Sequence, residues 1–260
     1  MGTIVDLHTH VTDHWDIIRR NGKKFFGLFN NPTEIPKEIL LRCSELQNSL
    51  GSSTLAAIVN FDDNRAGGLF DEIERFAESA KIDAKRKSGV LAVRFGSSTS
   101  YFIQGREIRT TKGDVLIVGN GRDFPSREPE YIFKAARGDG DSLVLIPHLG
   151  VPVIGMNLTT ADKYREFIDA VDGREYADTL KVPSFTASDS HTIKHMFSKA
   201  QIFSNFNLDS PVVSLRDALK NYNKPYQCKP KQGIYEMGRH LVSSCLYTPF
   251  MLKRGILRRG

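Results

Sequence analysis

The chain has 260 residues, of which 40% are hydrophobic and 25% are charged, and its formal net charge is +6. This composition is that of a globular protein with enough chain for one large core, and it excludes a disordered or fibrous polypeptide. No apolar run reaches the ~18–20 residues of a transmembrane helix. The first residues also lack the basic and apolar segments of a secretory signal. We therefore expect a cytoplasmic protein with no membrane partner.

The first half of the chain alternates apolar strands with amphipathic segments. Its pattern predicts strands over 3–7, 55–59 and 90–95, helices over 32–50 and 69–87, and short strands over 101–103, 107–110 and 115–118. A turn at Lys112-Gly113 joins the last two strands. Alternation of this kind favours an α/β fold built on parallel strands.

The second half continues in the same way. The pattern predicts strands over 143–146 and 183–187 and helices over 129–137, 160–171, 191–199 and 213–221. Thr159 or Thr160 would cap the helix over 160–171. The periodicity weakens near residue 224, so we predict a catalytic domain over 1–224 and a basic C-terminal extension over 225–260 that packs in part on it.

Side chains that bind metals follow the ends of several predicted strands. His8 and His10 are two residues apart, as are Asp189 and His191, and such residues on a strand point to the same side. His148 also follows a predicted strand. The C-terminal ends of parallel strands usually build the functional site of such a fold. Imidazoles with a carboxylate suit zinc, manganese or iron.

Four motifs in this order resemble the PHP (polymerase and histidinol phosphatase) superfamily of phosphoesterases. They are Asp6-Leu7-His8-Thr9-His10, Gly105-Arg106-Glu107-Ile108, Pro147-His148 and Ser188-Asp189-Ser190-His191. The resemblance covers about residues 3–221. It implies a distorted (β/α)7 barrel, with two or three divalent metal ions (Zn, Mn or Fe) at the C-terminal ends of the strands.

The resemblance also implies roles for individual residues. One metal would be held by His8, His10, Glu107 and Asp189. Glu107 would bridge to a second metal that also takes His148, and His191 would serve another metal of the cluster.

Two positions depart from the pattern of the family. Asp63 and Asp114 stand where the family usually has a metal-binding histidine. Aspartate still binds hard ions, so the exchange tilts the preference towards manganese, iron or magnesium. The alternative is that one metal is lost.

Three residues are assigned to the catalytic set, namely Asp6, Asp63 and Arg122. We predict that Asp6 orients the imidazole of His8 or His10, and the alternative is a structural acid that bonds the backbone. Arg122 follows a predicted strand and is either a phosphate clamp or a surface arginine.

These features predict metal-dependent hydrolysis of a phosphoester, either a monoester or a nucleotide-type diester. A metal-activated hydroxide would attack phosphorus in line. The expected partner is a phosphorylated small molecule, a nucleotide or a nucleic acid. Two alternatives stay open: an amidohydrolase-type metal hydrolase, and a degenerate PHP module that binds nucleic acid or a partner without catalysis.

The C-terminal extension is strongly basic. After Cys228 it has one acid, Glu236, against seven basic residues: Lys229, Lys231, Arg239, Lys253, Arg254, Arg258 and Arg259. Such a segment is either a contact for nucleic acid or a solvated tail.

Overall fold

The computed structural model describes residues 2–10, 35–61, 68–119, 124–138, 140–152, 154–190, 193, 196–204, 206–207, 209–221 and 225–227. The strands are β1 (Thr3–Thr9), β2 (Ser53–Phe61), β3 (Asp83–Lys87), β4 (Val90–Phe95), β5 (Ser98–Thr110), β6 (Gly113–Gly119), β7 (Leu143–Ile146), β8 (Ala170–Asp172), β9 (Ser184–Phe185), β10 (Lys199–Phe203) and β11 (Pro225–Gln227). The helices are α1 (Ile35–Leu50), α2 (Gly68–Ser79), α3 (Pro129–Gly138), α4 (Leu158–Lys163), α5 (Arg174–Leu180) and α6 (Pro211–Lys220), with a 3-10 turn over Arg165–Phe167.

One sheet curls into a distorted α/β barrel, as the sequence predicts. Eight strands in the order β10-β1-β2-β5-β6-β7-β8-β9 form a nearly closed ring. Six of them run in one direction, whereas β6 and β10 run the opposite way. A parallel bridge from Thr9 to Ser190 brings the chain after β9 back to β1. The C-terminal ends of the six parallel strands therefore meet at one end of the barrel.

Three apolar clusters hold the barrel together. The first lies between the sheet and helices α1 and α2, and it includes Ile39, Phe70 and Phe102. The second fills the barrel interior, and the third packs α3, α4 and α5 onto the outside of β6, β7 and β8. Because both faces of the central strands are covered, those strands are apolar almost throughout.

Helix α6 covers the N-terminal end of the barrel. Its apolar side chains join the interior cluster. Arg216 donates to the carbonyl of Ser142 and pairs with Asp169, two residues that immediately precede β7 and β8. The C-terminal ends of the parallel strands, where a functional site is expected, therefore lie at the opposite end of the barrel, which we call its functional end.

Several predicted elements need correction in the first half of the chain. The helix predicted over 69–87 ends at Ser79, because Lys81 takes a left-handed backbone conformation and the exposed segment Asp83–Lys87 forms a hairpin with β4. The two short strands predicted over 101–103 and 107–110 are one strand, β5. Gly105 does not interrupt it, because β2 pairs with β5 through that position.

The second half also differs from its prediction. The segment predicted as a helix over 160–171 contains only the end of α4, then a 3-10 turn and the start of strand β8. Asn157 caps α4 by accepting from the amide of Thr160. Strand β10 begins at Lys199, where the sequence predicts the end of a helix, because this segment pairs with β1. Helix α5 was not predicted.

Among the described residues, no helix combines the length and apolar composition needed to cross a bilayer.

Candidate metal centre

A bulge in β1 aims two histidines into the barrel. Asp6 pairs with Ala56 and Thr9 pairs with Ile58, so β1 has one residue more than β2 over this stretch. An extra residue reverses the alternation of side chains beyond it. His8 and His10 therefore face the interior at the C-terminal end of β1, where both lie close to Glu107 of β5.

Five side chains of metal-binding type meet at this end. The Nε2 atoms of His8 and His10 are 2.7 Å apart, and Glu107 Oε2 lies 3.1 Å from His10 Nε2 and 3.7 Å from His8 Nε2. His148 Nε2 lies 3.7 Å from both Glu107 Oε1 and Asp189 Oδ2. Asp189 Oδ1 is 3.8 Å from the Nε2 atoms of His8 and His10.

The donors form two groups that share His8. One group is His8, His10 and Glu107, and the other is His8, His148 and Asp189; within each, the ligand atoms lie within 4.8 Å of one another. The first group is buried, whereas the second is partly open, with Asp189 38% exposed. The site is therefore closed at its base and accessible on the side of Asp189.

Two of these residues have unusual backbone conformations. His148 (φ 52°) and Asp189 (φ 46°) are both left-handed, which is uncommon for residues other than glycine. Each follows a strand of the barrel and turns its side chain towards the same point. Such backbone strain tends to be retained at functional sites, where the surrounding structure fixes it.

The donor set fits a cation. Burial on its own raises the pKa of Glu107, but the neighbouring His8 and a hydrogen bond with His10 outweigh it and hold that pKa well below its usual range. Glu107 Oε1 is buried and has no hydrogen-bond partner among the described residues. A buried anionic oxygen without a donor is costly. A divalent ion between the imidazoles and carboxylates would satisfy it.

Asp6 does not contact either imidazole. It is fully buried, and its carboxylate accepts from the amides of Ser188 (3.0 Å), Phe197 (2.8 Å) and His8 (3.4 Å) and from the Ser188 hydroxyl (2.5 Å). Burial raises its pKa to about 6 although these hydrogen bonds lower it. These contacts are those of a structural acid that bonds the backbone, because the bulge places Asp6 on the opposite face of β1 from the two histidines. The Asp6 carboxylate ties β1 to the segment that presents Asp189.

Asp114 lies on β6 and is buried beside Arg109, with 2.9 Å between Arg109 Nε and Asp114 Oδ1. Burial raises the pKa of Asp114 well above its usual range, and the negative charge of Glu107 adds to the shift. Asp114 belongs to neither group of possible ligands among the described residues. An aspartate could bind a metal ion, but the charged group that the described residues place beside Asp114 is the guanidinium of Arg109.

Three predicted site residues, Asp63, Arg122 and His191, lie outside the described residues. Two charged residues beside the site were not predicted. Asp172 ends β8, next to the strands that lead to His148 and Asp189, and Lys199 begins β10. Both were placed in or next to predicted helices.

Comparison with known proteins supports the fold. No protein-family model and no curated protein matches the sequence. The lesion-specific endonuclease PfuEndoQ from Pyrococcus furiosus is similar in structure, with 15% sequence identity and a TM-score of 0.51 over 90% of this chain and 60% of that chain. PsfC from Pseudomonas syringae PB-5123 is 11% identical, with a TM-score of 0.48 over 96% of this chain and 99% of that chain. The similarity to PfuEndoQ is one of fold: a distorted α/β barrel.

Proposed function

We propose that this protein is a metal-dependent hydrolase that acts on phosphoesters. The observation that carries the proposal is the convergence of five side chains, with nitrogen and oxygen atoms 2.7–3.8 Å apart, at the end of the barrel where the parallel strands finish. Histidines and carboxylates in this arrangement are typical ligands of zinc, manganese and iron.

The two groups would hold two ions close together. His8, His10 and Glu107 would hold the buried ion, and His148 and Asp189 would hold the outer ion. The carboxylate of Glu107 would lie between the two ions, because its Oε2 is 3.1 Å from His10 Nε2 and its Oε1 is 3.7 Å from His148 Nε2. When bound, such a pair of ions lowers the pKa of water and neutralises charge on phosphoryl oxygens. The protein contributes the rigid placement of the ligands, since His8 and Glu107 are buried.

The open side of the site determines the approach of a substrate. Asp189 is the most exposed of the candidate ligands that the structure describes, so an ester would enter past its carboxylate. A net charge of +6 favours anionic substrates through electrostatic steering. The fold shared with an endonuclease supports a nucleic-acid diester as the second class of substrate.

Metal content and ester hydrolysis test the proposal together. Metals per chain should be counted on protein purified without chelator, and p-nitrophenyl phosphate and bis-p-nitrophenyl phosphate should be assayed with added manganese. We expect at least two ions per chain and turnover that a chelator abolishes. The preferred ester separates a monoesterase from a diesterase. One ion or none, without turnover, would instead support a non-catalytic binding module.

A further inference from the structure

Lys199 lies on the inner face of the barrel at its functional end. Strand β10 runs antiparallel to β1, with Phe203 opposite Thr3 and Gln201 opposite Val5. Phe203 belongs to the interior cluster, and alternate residues of a strand share a face. Lys199 is two residues beyond Gln201 and so faces inwards, at the level where β1 reaches its histidines.

Asp172 lies at the same end on the neighbouring part of the wall. It is paired with Phe185 of β9, and Phe185 belongs to the interior cluster. Ala170, two residues before Asp172 on β8, belongs to the same cluster. Asp172 therefore also faces the interior. Strand β8 lies between β7 and β9, so this carboxylate is placed between the strands that lead to His148 and Asp189.

The charges of Lys199 and of two candidate ligands, His8 and His148, act on the carboxylate of Asp172. Burial raises the pKa of Asp172, and the charges that oppose this shift include those of His148, His8 and Lys199. Lys199 is exposed, and it makes no hydrogen bond or ion pair within 4 Å with another described residue. An exposed cation is thus presented on the inner face at the functional end of the barrel.

We propose that Lys199 binds the substrate, donating from its ammonium group to a non-bridging oxygen of the phosphoryl group held at the metal centre. This inference rests on the proposed function and adds a protein contact to it. A lysine is a flexible point charge with three donors, which suits a phosphoryl oxygen whose position changes as the ester enters and the product leaves. The carboxylate of Asp172 attracts the ammonium towards the site.

Binding of inorganic phosphate to the manganese-loaded protein, measured by calorimetry, tests the proposal directly. Lys199→Ala should weaken phosphate binding about tenfold, because a charge-assisted hydrogen bond is lost. Lys199→Arg should retain most of the affinity, and Lys199→Met, which keeps an unbranched side chain but has neither the charge nor an N–H donor, should behave as Lys199→Ala. Metal content should not change in any variant. The matched control is Lys220→Ala, because Lys220 is an exposed lysine on α6 at the covered end of the barrel.

The outcomes separate this inference from the proposed function. A wild-type protein that binds no phosphate and hydrolyses no ester overturns both. A wild-type protein that is active, with Lys199→Ala binding phosphate as tightly as wild type, overturns the role of Lys199 alone. A loss of bound metal in Lys199→Ala also contradicts it, since Lys199 would then support the ligands rather than the substrate. In ester assays, the predicted result is a higher KM for Lys199→Ala and an unchanged KM for Lys220→Ala.

Discussion

His8 is the one residue common to both groups of candidate ligands. Its imidazole lies 2.7 Å from that of His10 and within 4 Å of the carboxylates of Glu107 and Asp189. Among the described ligands, His10 and Glu107 belong only to the first group, and His148 and Asp189 belong only to the second. His8 Nε2 has a single lone pair and would bind one ion at a time, so removal of His8 takes a ligand from one ion and leaves the neighbouring ion beside an incomplete site.

We predict that His8→Ala loses the ion that His8 would hold and binds the second ion more weakly, whereas His10→Ala and His148→Ala each lose mainly the ion of their own group. Turnover should fall by more than ~100-fold in His8→Ala. Substitution of a residue that only hydrogen-bonds to a metal ligand already lowers metal affinity or activity by about 10–100-fold. Metals per chain, measured by elemental analysis, and ester hydrolysis check this order.

The control is His240→Ala, which removes an imidazole from the C-terminal extension, and circular dichroism verifies that each variant is folded. If His8→Ala keeps the metal content of the wild type, the placement of His8 among the ligands is wrong.

At the scale of elements, the site depends on how the chain after β9 is attached to β1. The amide of His10 donates to the carbonyl of Ser190 at 2.7 Å, and Asp6 accepts from both the amide and the hydroxyl of Ser188. These contacts lie on either side of Asp189, which has a left-handed backbone. We therefore propose that Asp6 positions Asp189, a candidate ligand with which it shares no hydrogen bond.

Asp6→Ala should lower the free energy of unfolding by about 3–5 kcal/mol, because buried amide donors lose their acceptor. It should also weaken metal binding, since Asp189 is no longer fixed. Ser188→Ala removes only the hydroxyl contact and should cost about 1 kcal/mol. Chemical denaturation and metal titration measure the two effects. Unchanged metal affinity in a folded Asp6→Ala variant would contradict the positioning role.

Three residues show which structural information is not local in sequence. The motif of β1 correctly predicts that His8 and His10 lie on one face, but it does not show on which face Asp6 lies. The bulge that separates Asp6 is set by pairing with β2, about 50 residues away. Asp172 was missed because β8 has only three residues, too few for a periodic pattern. Lys199 was missed because β10 forms through its pairing with β1.

At the scale of the whole molecule, the order of strands and helices predicts an α/β fold with parallel strands, and the distorted barrel is what the resemblance carried by four short motifs implies. The strands β4 and β7 match their predicted bounds because apolar runs flanked by turn residues define them. The reversal of β6 follows from the tight turn at Lys112-Gly113, which permits only an antiparallel neighbour. The ring closes through contacts between residues nearly 200 positions apart, such as Thr9 with Ser190, and no local pattern specifies them.

The basic C-terminal extension provides a prediction about the whole chain. Strand β11 pairs with β10 and lies at the start of the extension, so removal of residues 228–260 leaves the described sheet complete. If the seven basic residues beyond Cys228 contact nucleic acid, this truncation should weaken binding to a single-stranded oligonucleotide. It should also make the salt dependence shallower by about one unit of slope for each lost phosphate contact. Fluorescence anisotropy at several salt concentrations measures both quantities.

A full-length variant with these seven residues changed to glutamine separates charge from chain length. It should match the truncated protein if the contact is electrostatic, because the slope counts the counterions released from phosphates rather than the area of contact. Hydrolysis of p-nitrophenyl phosphate should stay unchanged in both variants, since the two ligand groups found among the described residues contain no residue of the extension. An unchanged slope in both would identify the extension as a solvated tail, and substrate recognition would then rest on the barrel alone.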